Sequence, residues 1–257
     1  MLDLPADRPR PPVLSFRGNK RQFEIDPKLA SELRQLSRQQ RSSLFAIFAA
    51  AVNTLLYRYT GQDDILIGVP IADRERPELR PLIGFMIDTH VLRTDLSGNP
   101  TFQALLGRVQ QAVAGVYSHR SAPFDQVVSA LQPERNLGYS PVFQVMLNWR
   151  DRDDQPQFIG LPGLTAKAIL AQSKIAKFDI TLVLTDEGDK ISLEVEYSTD
   201  LFDDGRIERM IGHLRTLLEG AVENPGQNIA ELNLLTGAER QRLLLEWNTA
   251  EVDDVYS

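Results

Sequence analysis

The chain has 257 residues, of which 42% are hydrophobic, and it carries a formal net charge of -7 and no cysteine. This size and hydrophobic content suffice for a large buried core, whereas the acidic balance argues against a nucleic-acid surface, which needs a basic face. The lack of cysteine excludes a disulfide framework, a thiolate metal site and a cysteine nucleophile.

The proline-rich residues 1–19 predict an extended tether that runs over a surface, because proline removes backbone donors and holds the chain extended. Prolines and charges stand where a signal peptide needs a continuous apolar segment. No run approaches the roughly twenty apolar residues of a membrane span. These features predict a cytoplasmic protein without a membrane partner.

Apolar residues at helical spacing predict six helices. Asp26 and Pro27 begin the first helix, and Ser42 or Ser43 caps the second. The second is apolar around most of its circumference, which predicts a buried helix. The six ranges are 26–37, 43–59, 99–119, 123–131, 200–223 and 237–246.

Short apolar runs predict strands between these helices. The strand ranges are 65–69, 82–92, 142–149, 164–170, 178–185 and 191–197. The last two flank residues 186–189, whose composition suits a hairpin turn. Because helices and strands alternate without strict βαβ regularity, we expect an α/β layer fold with a mixed sheet.

The residues alone reveal no catalytic constellation. Of the three histidines, His213 lies within a long predicted helix and favours a surface or boundary role, and His90 lies in a predicted strand and favours packing. The common hydrolase, zinc-protease and nucleotide-binding motifs do not occur. The carboxylate clusters at 151–154 and 186–189 favour solvation over metal binding. We therefore expect no metal site and no directly bound cofactor.

Residues 83–89 with Arg93, residues 119–125 and residues 135–142 carry a more specific signal. In this order they resemble three signature motifs of the condensation domains of non-ribosomal peptide synthetases. Residues 5–11, 59–65 and 68–74 also match that family's pattern, so the resemblance covers essentially the whole chain. It implies a proline-rich inter-lobe connection (1–19), a C-terminal lobe (20–224) and a linker toward an adenylation domain (225–257).

The sequence also departs from the family pattern. The catalytic signature of the family is a pair of adjacent histidines, three variable residues, Asp and Gly, and this sequence contains no adjacent histidines. Asp88 stands where the family usually has Asn, which exchanges a neutral amide for an acceptor-only carboxylate. Arg120 stands where Gln is common. The resemblance thus implies the C-terminal half of a condensation domain, with the catalytic histidine elsewhere.

The family fold implied is a pair of lobes similar to chloramphenicol acetyltransferase, each a mixed β-sheet packed with helices, around a central tunnel. The substrates are acyl, peptidyl or aminoacyl groups on the phosphopantetheine arms of a donor and an acceptor carrier protein. The implied partners are both carrier proteins, the N-terminal lobe and the adjacent adenylation domain.

The resemblance also implies roles for particular residues. Arg74 matches an arginine that pairs with the aspartate of the missing histidine motif, which is a supporting role. Pro123 and Phe124 are expected to begin a helix and fill core. The residues expected on the tunnel side are Asp88, Thr89, His90, Ser140, Gln144 and Asn148.

Two hypotheses follow. In the first, the chain is half of a domain that forms peptide bonds, and it is inactive alone because the histidine pair is absent. In the second, it is a non-catalytic lobe that binds a carrier protein or a separate N-terminal lobe. An autonomous acyltransferase or an epimerising relative ranks last, because it lacks the same base.

Overall fold

The structure, a computed structural model, describes residues 1–72, 78, 81–84, 86–134, 136–150 and 173–246. In these ranges six strands form a sheet in the order β1-β6-β5-β4-β2-β3. The strands are β1 (Gly18–Ile25), β2 (Asp64–Ala72), β3 (Ile87–Asp95), β4 (Val145–Arg150), β5 (Ile180–Asp186) and β6 (Ile191–Ser198). Strand β4 runs parallel to β2 and β5, and the other pairs are antiparallel. The predicted α/β fold with a mixed sheet is confirmed.

Six helices surround the sheet. They are α1 (Pro27–Gln39), α2 (Leu44–Thr60), α3 (Phe102–Ser118), α4 (Phe124–Leu131), α5 (Asp204–Glu223) and α6 (Gly237–Gln241), and a π-helical turn (Arg242–Glu246) follows α6. Asp26, Ser43 and Thr101 cap α1, α2 and α3 by accepting hydrogen bonds from backbone amides of the first turn. Within the described ranges, no helix is long and apolar enough to cross a membrane.

The main core lies between one face of the sheet and helices α1, α2, α3 and α5. Helix α2 is the central element of this layer, because its residues 46–56 are all buried. From the sheet, Ile67, Leu92 and Leu147 are each no more than 1% exposed. The prediction of a buried second helix is confirmed.

A smaller aromatic cluster covers part of the opposite face. The ring of Phe143 lies 5.6 Å from that of Phe124 in α4 and 5.0 Å from that of Phe178, measured between centroids. A Cβ atom added to Gly68 of β2 would lie 2.2 Å from the Phe143 ring. Glycine at position 68 therefore lets an aromatic ring lie directly on the sheet.

The elements differ from the sequence-based expectations in three places. Strand β1 was not predicted, because residues 19–24 are mostly polar and the strand lies at an edge of the sheet. The strand expected at 82–92 lies at Ile87–Asp95 instead, where it pairs with β2 along its whole length. The last predicted helix is α6 plus a π-helical turn. The strand expected at 164–170 lies outside the described residues.

The proline-rich N-terminal segment is held against the lobe along its length. Leu2 and Leu4 are each 8% exposed, so the segment contributes to the core. Arg10 forms a bidentate ion pair with Asp179, whose side chain is 2% exposed, and also donates to the Gly138 carbonyl at 3.2 Å. The Asp179 carboxylate raises the pKa of the Arg10 guanidinium. These contacts fasten the segment to the turn that leads into β4.

Candidate functional site

The candidate site is a cleft that opens where strands β2 and β4 diverge. The two strands pair only at Ile67 with Val145 and at Gly68 with Met146. Beyond this point, residues 69–72 of β2 and Leu147 and Trp149 of β4 line a cleft of about 710 Å³. Pro70 has no amide hydrogen and cannot donate to a neighbouring strand, which is consistent with the end of the ladder here.

Two helices complete the described walls of the cleft. Leu44 and Phe45 come from the first turn of α2, and Val116 and Tyr117 from the last turns of α3. The Ser43 hydroxyl accepts a hydrogen bond from the Ala46 amide at 3.1 Å and so begins α2 at the rim. Because α2 is buried and capped, it presents this rim on a rigid element.

The described lining is mostly apolar and aromatic and contains no carboxylate, amine or imidazole. Such a surface binds and orients an apolar group and excludes water, but it offers no general base. The described residues also bring together no group of three His, Asp or Glu side chains suited to a metal ion.

A second, smaller pocket of about 320 Å³ lies at the edge strand β3. Thr89 and His90 line it together with His119, Phe124 and Val127. In the register of the sheet, Thr89 lies opposite Pro70 and His90 opposite Val69, so β3 is immediately beside the strand that borders the cleft. His90 is 9% exposed, in agreement with a packed side chain.

Asp88 is the third predicted residue on this strand. It lies opposite Ile71, which lines the cleft, and its side chain is half-buried. The Asp88 Oδ1 atom accepts a hydrogen bond from the backbone amide of Thr89 at 2.7 Å. The structure therefore places Asp88, Thr89 and His90 next to the cleft.

Ser140 and Gln144 lie together in the connection before β4. Gln144 is 2% exposed, donates to the Ser140 carbonyl at 3.0 Å and accepts from the Leu2 amide at 2.8 Å. Both ends of its amide are thus occupied by backbone groups. The Phe143 amide donates to the Pro141 carbonyl at 2.9 Å around Val142, whose φ of 73° is rare for a β-branched residue.

Asn148 is separate from both groups. It alternates along β4 with Leu147 and Trp149, so its side chain points to the opposite face of the sheet from theirs. It is half-buried and pairs in register with Val183 of β5. Arg74, the predicted supporting arginine, lies outside the described residues.

The other two histidines occupy structural positions. The exposed His119 ends α3, and its Nδ1 atom donates to the Gly115 carbonyl at 2.9 Å. His213 is 9% exposed and hydrogen-bonds Tyr59 and Glu239. The boundary role expected for His213 is therefore a structural role in a buried network.

The aromatic residues of the cleft were not singled out from the sequence. Phe45, Tyr117 and Trp149 belong to three different elements, and each is typical of a core residue in its own segment. Pro70 was the available signal, since a proline inside an apolar strand-like run indicates that a ladder ends there.

A comparison with protein-family models matches residues 1–244 to the Condensation domain. The chain belongs to the Condensation domain family. It is 42% identical over 252 residues to a linear gramicidin synthase of Brevibacillus parabrevis, which covers 98% of this chain and 5% of that protein. It is 43% identical over 247 residues to chondramide synthase cmdD of Chondromyces crocatus, which covers 96% and 6%. The recognition from sequence motifs is confirmed.

Solved structures give the same fold. The X-domain from teicoplanin biosynthesis superposes with a TM-score of 0.85 at 29% identity and covers 91% of this chain and 53% of that chain. The first condensation domain of the CDA synthetase superposes with a TM-score of 0.71 at 19% identity and covers 90% and 50%. The expected fold class is confirmed, and the chain spans about half of each of these two structures.

Proposed function

We propose that this chain is the C-terminal lobe of a condensation domain that forms amide bonds on carrier proteins. The observation that carries the proposal is a match to the Condensation family over residues 1–244 in a sequence without adjacent histidines. The coverage of 53% and 50% of two similar structures supports a half-domain. The divisions at residues 19 and 224 remain part of this proposal.

In the proposed reaction, the amine nitrogen of the acceptor group attacks the thioester carbonyl carbon of the donor group. A C–N bond forms, the C–S bond breaks, the amine loses a proton and the donor arm leaves as a thiol. The cleft between β2 and β4 would hold one reacting group and exclude water, so that its contribution is positioning rather than proton transfer. The base would come from the N-terminal lobe.

The tunnel residues receive different roles in this proposal. Asp88, Thr89 and His90 would border the tunnel from β3, beside the strand that lines the cleft. Ser140 and Gln144 would support the wall, because Gln144 joins the connection before β4 to the N-terminal segment. Asn148 would act from the opposite face, and Arg74 would pair with the aspartate of the histidine motif.

The proposed partners are the N-terminal lobe, the donor and acceptor carrier proteins with their phosphopantetheine arms, and an adenylation domain. The test combines this chain with loaded donor and acceptor carrier proteins, with and without a separately produced N-terminal lobe. We expect dipeptidyl product only in the presence of the N-terminal lobe. Amide formation at the same rate by this chain alone would contradict the proposal.

A second candidate function is a binding lobe without catalytic activity. A complex of the X-domain and OxyB from teicoplanin biosynthesis superposes on this chain with a TM-score of 0.82 at 29% identity. Titration of this chain with a carrier protein and with an N-terminal lobe separates the two functions. Binding without amide formation in the reconstituted pair would favour the binding lobe.

A further inference from the structure

A three-residue hydrogen-bond relay joins helices α2, α5 and α6 at the end of α2 remote from the cleft. The Nδ1 atom of His213 in α5 lies 2.7 Å from the hydroxyl of Tyr59 in α2. Its Nε2 atom lies 3.0 and 3.1 Å from the two carboxylate oxygens of Glu239 in α6. The relay is independent of the cleft residues and of the proposed function.

The chemistry of the partners determines how protons are arranged in the relay. A carboxylate only accepts hydrogen bonds, so Nε2 must carry a hydrogen and donate to Glu239. In the neutral ring Nδ1 then holds a lone pair and accepts from the Tyr59 hydroxyl. Burial raises the pKa of Tyr59 to about 12, so the phenol remains protonated and able to donate. Tyr59 and Glu239 are thereby coupled through one imidazole ring.

The charges around the relay agree with this arrangement. Burial by itself raises the pKa of Glu239, but hydrogen bonds from the Thr236 backbone and hydroxyl, together with His213, outweigh burial and lower it. Glu239 therefore remains a carboxylate. Arg206 and Arg209 on α5 act on Tyr59 in the opposite direction to Glu239 and to burial.

The C-terminal segment (residues 225–246) is adapted to lie along α5. A Cβ atom on Gly212 would lie 3.2 Å from the Thr236 side chain, and one on Gly220 would lie 3.2 Å from the Leu232 side chain. Arg58 of α2 donates to the Leu232 carbonyl at 2.8 Å. Thr236 and Glu239 form a reciprocal capping box that begins α6.

From this geometry we infer that the Tyr59–His213–Glu239 relay is a latch that positions α6 on α2 and α5 and requires the Nε2–H tautomer of His213. The Tyr59 hydroxyl sets this tautomer by donating to Nδ1. Tyr59 therefore acts on α6 through the ring, as a positioning residue. Helix α6 has only five residues, too few to be stable alone, so its order depends on such contacts.

Two measurements on the full chain test the latch. Imidazole ¹⁵N spectra report the tautomer, and the His213 signals can be assigned because the chain has only three histidines. Hydrogen exchange of the Glu239 and Arg240 amides reports the order of α6. We expect the Nε2–H tautomer in the unmodified chain. We also expect Glu239→Gln and Tyr59→Phe each to accelerate exchange of these amides at least tenfold.

The controls separate the latch from a general loss of stability. Tyr57→Phe, two residues before Tyr59 on α2, and Glu231→Gln, on the exposed part of the C-terminal segment, should leave both readouts unchanged. An Nδ1–H tautomer, or unchanged exchange in Tyr59→Phe, would overturn the inference. A uniform acceleration of amides throughout the chain in Tyr59→Phe would also overturn it, because the effect would then not be local to α6.

Discussion

At the scale of single residues, close contacts explain why particular side chains occupy the turn and strands around the cleft. Gly68 allows the Phe143 ring to lie on β2, and Phe143 in turn contacts Phe124 and Phe178. The Arg10–Asp179 pair fastens the N-terminal segment to the same region. Both features support the strand that carries Leu147 and Trp149 into the cleft.

Gly68→Ala should destabilise the chain by about 1–3 kcal/mol, because the added methyl overlaps a ring in a packed interior. The added Cβ would lie 2.2 Å from Phe143. Urea denaturation measures the change in the free energy of unfolding. The matched control is Gly107→Ala in α3, where a Cβ meets no atom within 4 Å. It should stabilise the chain by about 0.5–1 kcal/mol, because alanine favours helix. Equal effects in the two variants would contradict the packing account.

Arg10→Met should destabilise the chain by about 3–5 kcal/mol, because it leaves the carboxylate of Asp179 buried without its partner. Asp179 has a side chain only 2% exposed. The matched control is Arg8→Met, since the side chains of Arg8 and Asp203 are 46% and 61% exposed. Exposed pairs contribute about 0–1 kcal/mol. Chemical denaturation of both variants makes the comparison, and a loss in Arg8→Met as large as in Arg10→Met would contradict this account.

At the scale of elements, α2 organises the lobe. Its first turn lines the cleft, its middle is buried against the sheet, and Tyr59 in its last turn contacts His213. One polar contact lies inside this otherwise apolar packing. The Asn53 amide of α2 donates to the Thr94 hydroxyl of β3 at 3.1 Å, and both side chains are buried.

Thr94→Val should destabilise the chain by about 1–3 kcal/mol, because it leaves the buried Asn53 amide without its acceptor. The double variant Asn53→Leu/Thr94→Val removes both polar partners and should recover most of that loss. A double-mutant cycle of unfolding free energies measures the coupling. Simple additivity of the two single changes would show that the contact does not matter.

At the scale of the whole molecule, several carboxylates tie separate parts of the lobe together. Asp26 accepts a backbone hydrogen bond from Leu29, and Asp204 accepts one from the Tyr197 hydroxyl. These hydrogen bonds lower the pKa of both carboxyl groups below 3.8. The buried phenol of Tyr59 is shifted in the opposite direction, to about 12.

The acid limb of stability should follow these carboxylates. A lowered folded-state pKa contributes stability that is present above the unfolded value of 3.8 and is lost as the pH falls through the folded value. Melting temperatures should therefore fall as the pH drops below about 4. Asp26→Asn retains a cap but removes one titrating group, so its acid limb should be shallower. An unchanged slope would contradict this role of Asp26.

The alkaline limb should depend on Tyr59. The folded protein holds the phenol proton more tightly, so this contribution is fully present below pH 10.0 and is lost as the pH rises toward about 12. Tyr59→Phe should remove that part of the alkaline loss, and Tyr57→Phe should not. Melting curves between pH 8 and about 11.5 make the comparison, and identical slopes in both variants would contradict it.

The sequence by itself determined the elements whose signals are local. Caps at Asp26 and Ser43 and the apolar spacing of α2 specify where helices lie, because hydrogen bonds and periodicity act over a few residues. The family motifs specified the fold class and the absence of adjacent histidines, since both are statements about residue order. Polar strand β1 lacked such a local signal and was found only through its pairing with β6.

Only the tertiary structure decided where the candidate site lies and how the C-terminal segment is held. The cleft depends on where two non-consecutive strands diverge, and its lining comes from residues far apart in the chain, such as Phe45, Tyr117 and Trp149. The relay likewise joins Tyr59, His213 and Glu239, each unremarkable in its own segment. Such arrangements arise from long-range packing, and no spacing within the sequence encodes them.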